Sequence, residues 1–330
     1  MRTTSAVRQT RTRRTAAHRG AGLAAAVANG DGSGLSRVVD VAGIDLRRTL
    51  SVHQQGRFDP TTRVTDREVW RATVTPHGPG TMRVQRIDDA AHATAWGAGA
   101  RWLLDGLDRW LGLDDDPSAL VPAHPVVAAG AKRAVGMRIG ASGGIFHALV
   151  PAILGQRVTV QEALRQWGAL CRALGGPAPG PGGLRLPPAP AAIAGNGYWW
   201  FHRFGIERKR ADALLRVAHH AHRLDEAATF PVADAYDRLM AIPGIGIWTA
   251  AMVIGPAMGD PDAVPVGDFH LPNMVSWNLA GEPRGDDPRM LELLAPYAGQ
   301  RGRALRLIGI GGSSAPKFGP RQRIMPIAGW

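Results

Sequence analysis

Apolar and polar positions change their period along this chain near residue 118. Before it the runs are short and alternate. From Gly43, Ile44, Leu46, Leu50 and Val52 begin that alternation. Residues 68–75 and 81–87 flank Pro76-His77-Gly78-Pro79-Gly80, a pattern that predicts two strands joined as a hairpin. Residues 92–97 predict a further strand. Residues 101–113 then shift to helical spacing, with Trp102, Leu103, Leu107, Trp110 and Leu111 along one side. Together these predict a small α+β domain with an antiparallel sheet over residues 36–118, for which packing is the default role.

Asp114-Asp115-Asp116-Pro117 reads as an acidic linker. Beyond it the apolar spacing is that of helices, and residues 119–310 predict a mostly α-helical domain. Helices are expected over 144–154, 160–174, 207–223, 234–242, 286–297 and 301–310. The Gly/Pro-rich stretch 175–190 reads as a loop. Tyr198-Trp199-Trp200, ahead of Phe204-Gly205-Ile206, could line a pocket or a helix junction, with packing in the core the favoured reading.

Charge refines this division. The net charge of +12 is carried by the two ends. Residues 1–30 contain six Arg and no acid, residues 301–330 contain five Arg, one Lys and no acid, and residues 31–300 balance 27 basic against 27 acidic side chains. Residues 1–35 predict a disordered basic arm and residues 311–330 a basic irregular tail, each adding salt-sensitive affinity for polyanions. Arg13-Arg14 before an Ala-rich run resembles an export signal, but Arg19 interrupts it and no strong apolar core follows. No run is long and apolar enough to span a membrane. Cys171 is the single cysteine, which excludes a disulfide framework and a Cys-ligated zinc or iron–sulfur site. His219, His220 and His222 do not share one helix face, and HExxH is absent, so no metal centre is expected.

The chemistry concentrates in residues 239–275. Pro243-Gly244-Ile245-Gly246 interrupts a helical pattern that resumes at Ile247. Its glycines permit unusual backbone angles and close approach of a partner. The amides that open the next helix lack internal partners and face the positive end of its dipole, which suits a phosphate. Gly244, Ile245, Gly246 and Thr249 are therefore candidate phosphate-binding positions, and the hairpin carbonyls offer at most a monovalent cation site. Ile247 to Ile254 continue as a helix expected to end near Gly255-Pro256. After a loop, Asp268 stands at an N-cap position before Pro272. A carboxylate held by backbone N–H groups stays ionised near neutrality.

These residues resemble the helix–hairpin–helix DNA glycosylase superfamily, with its Gly-Pro-Asp signature, and within it the 3-methyladenine DNA glycosylase II type. Two further segments carry the resemblance. Residues 152–160, AILGQRVTV, are similar to the family's ILGQ helix start, and residues 204–214, FGIERKRADAL, to its LG-x4-RA-x-AL segment. The likeness covers roughly residues 40 to 310 and is strong after Phe146. It implies a monofunctional enzyme of base excision repair that flips a damaged base out of duplex DNA and hydrolyses its N-glycosidic bond. Asp268 would stabilise an oxocarbenium-like transition state. In relatives that also cut the strand, a lysine stands at the position of Trp248; a tryptophan cannot form a Schiff base. Trp248 and Phe269 are implied in the base pocket, where an aromatic face attracts a cationic alkylated purine such as 3-methyladenine or 7-methylguanine. Gln156 and Arg157 are implied at the wedge that fills the emptied stack, although the alkylation-repair member has an aliphatic side chain there. The expected partner is damaged double-stranded DNA, with no cofactor, and the expected state is a cytoplasmic, nucleoid-associated monomer. A glycosylase for another damaged or mispaired base, and a non-catalytic DNA-binding protein using only the hairpin, remain open alternatives.

Overall fold

The computed structural model describes residues 34–316. The predicted basic arm and most of the predicted tail lie outside the described residues.

Five strands form one antiparallel sheet: β1 (Leu35–Asp40), β2 (Thr62–Val64), β3 (Glu68–Thr75), β4 (Gly78–Ile87) and β5 (Ala90–Trp96), in the order β1-β5-β4-β3-β2. The expected β3–β4 hairpin is present, but Thr75 pairs with Gly78, so the turn is only Pro76-His77 and the two residues after Gly78 belong to β4. The expected alternation near Gly43 is overturned. Leu46–Leu50 is a helix, α1, because the Asp45 carboxylate accepts the Arg48 N–H and caps it. The strand lies earlier, in β1, where only alternate residues are partly buried. Helices α2 (Ala100–Asp105) and α3 (Leu107–Leu111) replace one predicted helix, divided at Gly106. Leu103, Leu104, Leu107, Trp110 and Leu111 cover one face of the sheet together with Leu50 and Met82.

The other face is covered by the Gly/Pro-rich stretch. Leu184, Ala178 and Leu186 pack on Trp70 and Trp96, and the Arg185 N–H donates to the Pro60 carbonyl at 2.8 Å. A side chain at Gly182 would come within 2.6 Å of the Trp70 ring. This loop is a strap, fixed by apolar contact with the sheet.

The remainder is helical. Its elements are α4 (Pro125–Arg133), α5 (Ile145–Leu154), α6 (Val160–Leu174), α7 (Pro190–Ala194), α8 (Arg208–His219), α9 (Ala221–Asp225) and α10 (Val232–Met240). They are followed by α11 (Ile247–Met258), α12 (Leu271–Ala280), α13 (Asp287–Leu294) and α14 (Arg301–Gly311). Helix α5 buries Ile145, Phe146, Leu149, Val150, Ile153 and Leu154 at the centre of a core shared with α6, α8, α10 and α11. A helix apolar nearly all round is an interior helix, and each such side chain stabilises the fold by about 1.5–3 kcal/mol. A second core joins α4 to α12, α13 and α14. The predicted helix over 207–223 breaks at His220. Helix α11 runs through Gly255-Pro256, the predicted stop, because carbonyls of its last turn are used: Pro256 and Ala257 accept the N–H groups of Ser142 and Gly143.

Within the acidic linker, Asp114 and Asp116 are exposed, whereas the Asp115 side chain is buried, pairs with Arg303 of α14 and accepts the Ile139 N–H. Sheet domain, α5–α11 core and α12–α14 core therefore meet along one line, and a cavity opens there.

Candidate active site

The hairpin between α10 and α11 is fixed from three sides. Ile245 and Leu239 are buried in the core below it. Gly244 has φ +98°, and a Cβ there would lie 3.1 Å from that of Ala213, so glycine is required by both angle and space. The carbonyls of Pro243 and Gly244 accept from Arg216 Nη1 (3.1 Å) and Gln156 Nε2 (3.0 Å). Gln156 Nε2 also donates to Thr249 Oγ1 at 2.9 Å. Gly246 is the extended N-cap of α11, and nothing stands within 4 Å of where its side chain would be. The amides of the first α11 turn thus open to a clear surface, as an anion site requires.

Gln156 is therefore a clamp between the end of α5 and the hairpin, its Nε2 donating to two acceptors. Arg157 is different. It is exposed at the tip of the α5–α6 connection with φ +57°, a left-handed angle uncommon for a residue with a side chain. It makes no hydrogen bond or ion pair among the described residues. The connection is anchored by buried Arg210, the arginine of the RA segment, whose Nη1 donates to the Leu154 carbonyl and Gln166 Oε1, both at 2.8 Å.

Asp268 follows a tight turn in which its N–H donates to the Pro265 carbonyl. Its Oδ1 accepts the N–H groups of His270 (2.8 Å) and Leu271 (3.0 Å), at the entry of α12. Its Oδ2 accepts Nε1–H of Trp248 at 3.0 Å. The two candidate residues, twenty positions apart, are thus one hydrogen-bonded unit that joins the first turns of α11 and α12. Phe269 departs from expectation. It is 84 % exposed, packs edge-on to His270 and does not line the cavity. The clamp that turns Asp268 toward Trp248 leaves the next side chain facing outward.

Trp248 forms part of the wall of a cavity of about 580 Å³. Met252 of α11, Pro151 of α5 and Leu271 and Met274 of α12 add apolar wall. Five charged or titratable side chains interrupt an otherwise largely apolar lining, and the sequence reading missed them: His53, Arg71 of β3, His147 of α5, Asp260 and Arg306 of α14. Burial holds both imidazoles neutral. His147 is pushed down to about 3, with Arg71 adding to the effect. His53 is lowered by burial, then by Arg71, Arg306 and His147. Burial also brings Arg71 and Arg306 down to about 10, so both remain cations at neutral pH. These groups sit on separate elements with no common spacing, and only tertiary packing joins them. A larger depression of about 770 Å³, between α1 and the β2–β3 turn, contains none of the candidate residues. Among the described residues, no group of three His, Cys, Asp or Glu is arranged to hold a metal ion. No described helix is long and apolar enough to cross a membrane.

The architecture matches solved structures. A 3-methyladenine DNA-glycosylase from Archaeoglobus fulgidus superposes with TM-score 0.68 over 82 % of this chain and 97 % of that one, at 18 % identity. An 8-oxoguanine glycosylase/lyase from Clostridium acetobutylicum, bound to DNA, superposes with TM-score 0.64 over 83 % and 93 %, at 13 % identity. The chain has the helix–hairpin–helix DNA glycosylase fold. Identities this low establish the glycosylase fold alone. In sequence, the chain is 30 % identical over 171 residues to a probable bifunctional transcriptional activator/DNA repair enzyme AlkA of Mycobacterium tuberculosis. That stretch is 49 % of this chain and 34 % of the relative, so the chain spans about a third of the length of the curated relative it matches. No family model matches the sequence.

Proposed function

We propose that this protein is a DNA glycosylase that removes alkylated purines from duplex DNA by hydrolysis and leaves the strand uncut. The observation that carries this reading is the Trp248–Asp268 pair, held at 3.0 Å, with Trp248 both on the cavity wall and within one helical turn of the hairpin. The hairpin amides would grip a backbone phosphate. A base inside a duplex cannot reach the cavity, so the nucleotide must rotate out of the stack, and exposed Arg157 is suited to enter the gap.

The C1′–N bond then breaks with its electron pair going to the base. The sugar gains oxocarbenium character, which the Asp268 carboxylate stabilises. Preorganised charge of this kind is commonly the largest catalytic contribution. Its preorganisation here consists of two main-chain donors and one indole donor. Water adds to C1′ and loses a proton to the carboxylate or solvent. A glycosylase/lyase needs an amine nucleophile; the position that supplies it in such relatives is Trp248 here, which has none. Likeness to a DNA repair enzyme supports action on damaged DNA, and the motif resemblance to the 3-methyladenine type, with the aromatic face of Trp248 on the cavity, supports alkylated purines as the substrate class. The reading requires no cofactor, and a monomer acting on DNA within the cytoplasm suffices.

The test is a duplex carrying N-methylpurines, assayed in parallel for free base and strand breaks. Free base with an intact, alkali-labile strand and no borohydride-trapped adduct is the expected result. Strand breaks with a trapped adduct would overturn the hydrolytic reading. Tight binding with no base released would leave a DNA-binding protein.

A further inference from the structure

The loop of residues 54–61, which leads into β2, is tied to α6 on one side and to the strap on the other. Asp59 is buried, and its Oδ1 accepts from the Thr61 N–H and hydroxyl, both at 2.9 Å, and from Trp167 Nε1 of α6 at 3.0 Å. Its Oδ2 accepts the Gln55 N–H at 2.7 Å. Gly56 has φ +72° and lies so close to Leu164 of α6 that a Cβ there would stand 2.7 Å from the leucine methyl. Behind the loop, the Pro60 carbonyl accepts the Arg185 N–H of the strap. These ties turn Arg57 and Phe58 outward. Phe58 is 82 % exposed, with the Arg57 guanidinium 5.2 Å from its ring centre.

A single exposed phenylalanine has no meaning by itself. Its surroundings supply one. Gln54, Gln55 and Leu164 line the same cavity as Trp248. From Leu164 the surface of α6 leads back past exposed Val160 to Arg157. The whole path from Phe58 to Arg157 is about 30 Å at full stretch, shorter than one turn of B-DNA at about 34 Å. Arg57, Arg157 and Arg165 are exposed along it and make no hydrogen bond and no ion pair among the described residues. The carboxylates of these two segments are spent inward: Asp59 on the loop and Trp167, and Glu162 on Gln166 Nε2 and, at 3.8 Å, on Arg210. The strip is a cationic surface ending in an aromatic ring, a composition that suits nucleic acid.

On the glycosylase reading above, we propose that residues 54–61 are a second DNA-docking element, supplied by the sheet domain. Arg57 pairs with a phosphate, and Phe58 enters a base step flanking the extruded nucleotide. Extrusion unstacks a duplex, and an apolar ring inserted at an opened step stabilises the bent form. The role is in binding, distinct from the bond-breaking step at Asp268, and it gives the sheet domain a function beyond packing.

The experiment measures the affinity of the full chain, Phe58→Ala, Phe58→Trp and Arg57→Gln for a duplex carrying a stable abasic-site analogue, over a range of salt. Phe58→Ala should weaken binding at least about fivefold, and Phe58→Trp should keep the parent affinity. Arg57→Gln should lower the slope of log affinity against log salt by about one. A duplex cut short beside the analogue on one side should abolish the Phe58→Ala effect, and one cut short on the other side should preserve it. Parent-like binding by both Phe58→Ala and Arg57→Gln overturns the proposal. So does a Phe58→Ala defect that survives both truncations, which would mark a change of fold. A parent dimer that is lost in Phe58→Ala would assign the ring to a second copy of the chain and also overturn it. Release of base from an N-methylpurine duplex is assayed alongside in the parent. Free base with unaffected variants sinks this proposal alone, and impaired variants with no free base sink the glycosylase reading alone.

Discussion

The two walls of the cavity differ in how their polar groups are used. Behind the α11–α12 wall, which Trp248 lines, they are engaged with one another: Asp268 accepts from two amides and an indole, and Gln156 ties the end of α5 to the hairpin and to Thr249. On the wall from β3 and α14, Arg71 makes one hydrogen bond, to the Ser142 carbonyl, and Arg306 makes none among the described residues. A group whose bonds are all made cannot be reoriented cheaply, which suits a step that needs charge at a fixed point. A group with bonds unmade suits recognition, because the ligand completes them.

Removing the charge of the engaged wall should have the largest effect. Asp268→Asn keeps an acceptor for the main-chain donors, so the turn should persist, while base release from an N-methylpurine duplex falls by roughly 10²–10³-fold. Retention of the parent rate would assign the chemistry elsewhere.

The unengaged wall should respond to acid. His147 is held at about 3 in the fold, against an ordinary value of 6.5, and His53 shifts the same way. Above pH about 6.5 the unfolded chain is neutral at these sites too, and there is no penalty. As pH falls below that, the unfolded chain takes up protons that the fold refuses, so stability declines continuously toward pH 3. After discounting for hydration of the cavity, the loss should be on the order of 2–3 kcal/mol. Thermal melts between pH 4 and 7.5 would read it, and His147→Gln should flatten the slope. A slope identical in that variant would contradict the assignment.

Smaller effects separate the members of the engaged wall. Trp248→Phe keeps the ring and removes the N–H given to Asp268, a bond to a charged group worth about 1.5 kcal/mol, so single-turnover release should slow roughly tenfold. Gln156→Ala frees the hairpin carbonyl and Thr249, and should weaken duplex affinity by about fivefold with little change in the rate from the bound state. A rate loss without an affinity loss would make Gln156 part of the chemistry instead of the clamp.

The same contrast explains how far the sequence could be read. Gly244, Trp248, Asp268 and Gln156 lie in contiguous motifs whose spacing already implies a hairpin and two helix entries. Arg71, His53, His147 and Arg306 come from four elements and share no period, so only the tertiary fold assembles them. Within the sheet domain, β3 and β4 were legible because they are long and flank a Gly/Pro-rich turn. Edge strands β1 and β2 were not, being half exposed or only three residues long. Helix α11 ends at Met258, two residues beyond Pro256, because its last turn is held by contact with residues 142 and 143, a partner outside any local window. Phe269 failed because adjacency to Asp268 says nothing about which way the clamp turns each side chain.

The central claim is that Trp248 and Asp268 act as one unit. A double-mutant cycle on single-turnover base release tests it most directly, with Trp248→Phe measured in the parent and in Asp268→Asn. The account predicts that the roughly tenfold cost of Trp248→Phe in the parent shrinks to less than about twofold once the carboxylate is gone. Equal costs in both backgrounds would mean that the indole acts independently of Asp268, and would contradict it.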